Sequence, residues 1–129
     1  MKRRTAREKA LQALFQVEVS QIDPKEALEH VLEDKKSDDF LEELLFGTIE
    51  HKEDIDSFIS LNLENWKLER LGNVDRVILS LAAFELKYME DIPSNVSIDE
   101  AIELAKMFGD DDSSKFINAV LSKMKKQIS

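Results

Sequence analysis

Residues 74–88, VDRVILSLAAFELKY, decide the fold. Val74, Val77, Ile78, Leu79, Leu81, Ala82, Ala83, Phe84 and Leu86 spread around most of the circumference of a helix. A helix that is apolar on nearly every side has to be surrounded by other helices, because no single face is left for water. The stretch therefore predicts the central helix of an all-α protein. Glu85 falls four residues after Leu81, close to the apolar side. A buried carboxylate must be hydrogen-bonded or paired, so Glu85 calls for an internal ion pair, with an Arg for instance, or for a partner molecule.

Working downstream, Ile92, Pro93 and Ser94 break the helix, and Ser97 with Glu100 has the spacing of a capping box ahead of Ile98, Ala101, Ile102, Ala105 and Phe108. Gly109 suits a left-handed position after that helix. Asp112 or Ser113 then starts a last helix with Phe116, Ile117, Val120, Leu121 and Met124 on its buried face. Upstream, Gly72 and Asn73 read as a turn, and residues 63–72 lack a clean period, which marks a junction within the domain. Thr5 and Glu8 suggest a capping box for a first helix starting near Thr5, with Ala10, Leu11, Leu14 and Phe15 following on one face. Asp23 before Pro24 opens a second helix, since proline lacks only a hydrogen that the first turn cannot use. Ser37 is the expected cap of a third, carrying Leu41, Leu44, Leu45 and Ile49, and Ile55, Phe58 and Ile59 continue into a fourth. About seven helices and no period-2 segment make an all-α, single compact domain over residues 1–129.

Composition agrees. The chain is 43% hydrophobic and 35% charged, with only 3 Gly and 2 Pro, a balance that favours helices over turn-rich sheets. There is no Cys, which removes disulfides and thiolate catalysis. No stretch has the run of about 18 apolar residues that a membrane span needs, and the expected location is the cytoplasm with no membrane contact. The net charge of −9 argues against a general nucleic-acid binder, because phosphate binding is driven by Lys and Arg displacing counterions. The charge is unevenly distributed, however. Lys2, Arg3, Arg4, Arg7 and Lys9 face a single acid, Glu8, in the first nine residues, and Lys115, Lys123, Lys125 and Lys126 face none after residue 112.

Catalytic and metal-binding chemistry find little support. His30 and His51 fall near helix C-termini, where an imidazolium complements the dipole, and neither has a second His at chelating spacing. Gly109-Asp110-Asp111-Asp112 lacks the alternation and terminal Glu of a calcium loop. Nothing resembles a phosphate-cradling glycine loop, so no enzyme activity, metal or cofactor is expected. Arg3 and Arg7 share a helix face with Arg4 beside it, and the guanidinium fork matches phosphate geometry. A solvated terminus would carry the same residues, and residue type alone does not choose between the two.

The segment SIDEAIELAKMFGDDDSSKFINAVL, residues 97–121, resembles the signature of the NusB transcription antitermination family. Asp75-Arg76-Val77-Ile78-Leu79 through Phe84-Glu85-Leu86 is similar to that family's central helix. Arg3, Arg4, Ala6, Arg7, Ala10, Leu14 and Phe15 are similar to its arginine-rich first helix. The resemblance spans essentially the whole chain. It implies two stacked three-helix sub-bundles, roughly residues 1–64 and 73–129. It also implies a non-catalytic role in binding single-stranded boxA RNA of ribosomal RNA leaders together with the ribosomal protein NusE. That pair would work within an antitermination complex on RNA polymerase that includes NusA and NusG.

Carried onto this sequence, the resemblance assigns RNA contacts to Lys2, Arg3, Arg4 and Arg7 and to Asp112, Lys115, Phe116 and Asn118. Arg and Lys would take phosphates, Asn a base edge, and an accessible aromatic an unpaired base; Phe116 equally fits the core stripe. Partner binding falls to Phe15, Asp75 and Arg76. Two departures bear on this: Thr5 interrupts the arginine run, and Ala119 stands where Gly is common in the family. The alternative is a helical protein-interaction module or homodimer with no direct RNA role.

Overall fold

The computed structural model describes residues 1–128, which form seven α-helices and one 3-10 turn with no strand. They are α1 (Arg3–Ser20), α2 (Pro24–Leu32), α3 (Asp39–Glu50), α4 (Lys52–Leu61), the 3-10 turn Leu68–Arg70, α5 (Asn73–Tyr88), α6 (Ser94–Phe108) and α7 (Ser113–Ile128). Every residue from Val77 to Leu86 in α5 is buried, as its all-round apolar character requires. Each Leu or Ile fully buried there contributes about 1.5–3 kcal/mol by leaving water. Around α5 pack α1, α3, α4, α6 and α7, while α2 lies against α1. The buried apolar side chains of all seven helices join in one continuous cluster.

Several helix ends differ from the sequence expectation, in one case because the polar side chains, Ser97 and Glu100, are engaged elsewhere. Asp23 caps α2 as expected, accepting from the backbone N–H groups of Lys25 and Glu26. Helix α1 begins before Thr5, at Arg3 after Lys2, so the Thr5–Glu8 box does not form. Asp38, not Ser37, caps α3 by accepting from Leu41 N–H at 3.1 Å. The last helix does start at Ser113.

Helix α6 starts at Ser94 after Pro93, which puts Ser97 and Glu100 inside it, where both serve tertiary partners. Gly109 is extended, with φ −94 and ψ −171. Its requirement is close approach: a Cβ there would lie 2.6 Å from Ser113 Oγ and 2.8 Å from the Ala105 carbonyl. The left-handed helix ends are Gln21 and Glu33 instead.

Candidate nucleic-acid and partner interface

Helix α1 runs antiparallel to α5, with Arg7 meeting Glu85 near one end and Phe15 lying beside Val74 and Asp75 near the other. Its N-terminal turn carries the basic arm. Lys2, Arg3 and Arg4 are exposed, but Arg7 is 3% exposed, which corrects its assignment to an RNA-facing surface. The Arg7 guanidinium donates through Nε to Glu85 Oε2 at 2.9 Å and through a terminal nitrogen to Glu85 Oε1 at 2.7 Å. Ser97 Oγ donates to the same Oε1 at 2.9 Å. The buried carboxylate thus finds its partner in the arm itself, and the pair ties α1, α5 and α6 together.

Arg4 also has an internal partner. Its guanidinium grips Glu100 at 3.2 and 2.7 Å, on the exposed edge of the same cluster. The hydrogen bond from Arg4 holds the Glu100 carboxyl below its ordinary range, partly opposed by burial and aided by the charges of Arg4 and Arg7. Arg3 lies over the Phe40 ring, 4.8 Å from its centroid. Lys2 and Arg3 therefore remain the most available cations of the arm, with Arg4 available only in exchange for Glu100.

Of the remaining site residues, Phe15, Asp75, Asp112 and Phe116 line a groove at the opposite end of α1. Arg4 and Phe15 are separated by about 16 Å of helix, so the arm and the start of α7 are distinct patches. The groove consists of three adjoining hollows of about 450, 370 and 190 Å³. The first is lined by Phe15, Val74, Asp75, Phe108, Asp110 and Ser113. The second shares Asp75 and Asp110 and adds Trp66, Arg70, Asp112 and Phe116. The third shares Trp66 and Phe116 and continues past Ala119 to Lys123. Phe15 and Asp75, expected on the partner side, and Asp112 and Phe116, expected on the RNA side, are thereby brought onto one continuous surface.

The local chain explains these placements. Asp75 sits in the first turn of α5, where its charge complements the dipole, with the half-buried Arg76 beside it. Before α7, Asp110 holds the turn: its Oδ1 accepts from Asp112 N–H at 3.0 Å and from Ser113 Oγ at 3.1 Å. Asp112 is left exposed. Lys115 and Asn118 are exposed on α7, and Asn118 Oδ1 accepts from Ser122 Oγ at 3.3 Å. Phe116 is half-buried, packed against the core while also lining the groove. The histidines lie apart from the groove: His30 meets Gln16 and His51 ends α3 against the Gly47 carbonyl. Sequence reasoning did not single out Trp66 or Arg70, because both fall in the segment without a period.

The profile of the NusB family matches residues 4–126. The chain belongs to the NusB family. The transcription antitermination protein NusB of Bacillus subtilis is 61% identical over 128 residues, covering 99% of this chain and 98% of that one. Among solved structures, Thermotoga maritima NusB is 40% identical with a TM-score of 0.90, covering 98% of this chain and 92% of that one. A chain from the crystal structure of the antitermination factors NusB and NusE in complex with dsRNA is 31% identical with a TM-score of 0.87, covering 97% and 96%. Membership in the NusB family makes this chain a transcription antitermination factor and not an enzyme. Among the described residues, no helix is long and apolar enough to cross a membrane.

Proposed function

We propose that this NusB-family chain binds single-stranded boxA RNA of ribosomal RNA leaders jointly with NusE, as an RNA-binding subunit of a cytoplasmic antitermination complex on RNA polymerase that includes NusA and NusG. The observation that carries the reading is the likeness, at 31% identity over 97% of this chain, to a chain from a crystallised complex of NusB and NusE with dsRNA. The chemistry of the groove supports unpaired RNA as the ligand. An A-form duplex hides the faces of its bases, whereas an aromatic at a groove wall beside exposed Lys and Asn suits splayed bases.

Two ends of the surface suit two partners. Asp75 and Asp110 make the Phe15 end acidic, which repels phosphate and fits a protein contact through Phe15, Asp75 and Arg76. Lys115, Phe116 and Asn118 face RNA at the start of α7, and Lys2, Arg3 and Arg4 supply a second phosphate contact at the start of α1. Because the body is acidic and Arg4 is engaged by Glu100, RNA binding by the chain alone is weak and the partner completes the site. The test is an ordered titration of labelled boxA RNA into the chain with and without NusE. Tighter RNA binding after NusE is the expected result; NusE binding with no gain in RNA affinity would instead leave a protein-interaction module.

A further inference from the structure

The connector between α4 and α5 carries the only tryptophan of the protein, and Trp66 is 57% exposed. The connector leading into it is tied down. The Asn62 side-chain amide donates to the Phe58 carbonyl and to Gln127 Oε1, both at 2.9 Å. Glu64 pairs with Lys123. Asn65 turns the chain in the left-handed region at φ 63, a conformation that Asn tolerates better than most residues. These contacts pin the connector onto α7, and Trp66 lines, together with Phe116, both the middle and the last hollow of the groove.

A large aromatic left uncovered on a connector tied down at Asn62 and Glu64 calls for an occupant with a flat apolar face. The charges nearby specify its chemistry. Arg70 lines the same middle hollow, where Asp75, Asp110 and Asp112 also lie, and Lys115 is the neighbour of Phe116. Neither enters an ion pair among the described residues. A ring system linked to negative charge, a nucleobase on its phosphate backbone, satisfies both demands. Of the carboxylates in the middle hollow, Asp75 and Asp110 lie on the side shared with Phe15, while Trp66 and Phe116 lie on the side shared with the third hollow.

We propose that Trp66 is a second stacking residue of the RNA site, and that the cleft it forms with Phe116 takes one unpaired base whose phosphate lies against Arg70. The inference rests on the reading of the chain as a binder of single-stranded RNA. The single tryptophan makes it directly testable. 5-Fluorotryptophan incorporated into the chain gives one fluorine resonance even with NusE present, while anisotropy of fluorescein-labelled boxA RNA reports binding independently. RNA is expected to shift that resonance, and Trp66→Ala to weaken RNA binding roughly ten-fold or more, the loss typical of one stacked base. Trp66→Phe, which keeps an aromatic face, loses less. RNA that binds normally while the resonance stays in place, or a Trp66→Ala chain with unchanged affinity, overturns the inference and leaves the RNA reading standing. A resonance moved by NusE alone, and not by RNA, overturns it by assigning the cleft to protein. No RNA binding under any condition would overturn the functional reading and this inference with it.

Discussion

Replacing Arg7 with Met tests whether this arginine holds the fold together or contacts RNA. Arg7 and Glu85 are each 3% exposed, and two charge-assisted hydrogen bonds at 2.9 and 2.7 Å join them. Methionine fills much of the volume but leaves the Glu85 carboxylate with only the Ser97 hydroxyl among these partners. A buried charge stripped of its counter-ion costs about 3–5 kcal/mol, a large share of the roughly 5–15 kcal/mol that holds a domain folded. With a urea m-value of about 1–3 kcal/mol per molar, the unfolding midpoint should fall by on the order of 2 M. The double variant Arg7→Met/Glu85→Leu removes both charges and should recover most of that loss, since an apolar pair of similar volume often replaces a buried ion pair without cost. Urea unfolding followed by circular dichroism measures all three. A single variant losing less than about 1 kcal/mol, or a double variant no better than the sum of the two singles, would refute the idea that this pair is a coupled structural unit.

The same geometry makes predictions elsewhere. Lys2→Ala and Arg3→Ala should each flatten the salt dependence of RNA binding, by about 0.7 in slope for each phosphate that is no longer neutralised. Arg7→Met, assayed where it remains folded, should leave that slope unchanged. Gly47→Ala should lower the thermal midpoint although Ala is the better helix former, because the new Cβ would lie 2.2 Å from Phe84 Cζ. Phe84 is held by Tyr88, 5.3 Å away between centroids, and by His51 at 5.9 Å, so overpacking should cost about 1–3 kcal/mol. Glu100 has a depressed carboxyl pKa in the folded chain. The stability this gives is present above its unfolded pKa and is lost as pH falls through the folded value. Glu100→Gln should therefore flatten the decline of the urea midpoint as pH falls through and below the ordinary carboxylate range.

The helices were legible in the sequence because burial imposes a period, and α5 was the clearest case: its apolar residues leave no polar face, and the structure buries it on every side. The caps were less legible. Ser97 and Glu100 have capping-box spacing, yet the hydroxyl serves Glu85 and the carboxylate serves Arg4. A local pattern cannot reveal that a distant charge competes for the same side chain. Glu85 shows the reverse situation, since its need for a partner followed from burial, but only the antiparallel packing of α1 on α5 identifies Arg7. That pairing also removes Arg7 from the expected RNA surface. Trp66 escaped notice because its connector has no period and gains its meaning only when pinned against α7.

The groove runs from a hollow with Phe15, Asp75 and Asp110, through one where Asp75, Asp110 and Asp112 meet Trp66, Arg70 and Phe116, and we assign NusE to the Phe15 end and RNA to the aromatic end. This division is the central claim of the functional account. Amide chemical shifts of the isotope-labelled chain, recorded first with NusE and then with boxA RNA added, test it most directly. NusE is expected to move residues around Phe15, Asp75 and Arg76, and RNA then to move Lys2, Arg3, Lys115, Phe116 and Asn118. RNA-induced shifts confined to the Phe15 end, or absent from both the arm and the start of α7, would contradict it.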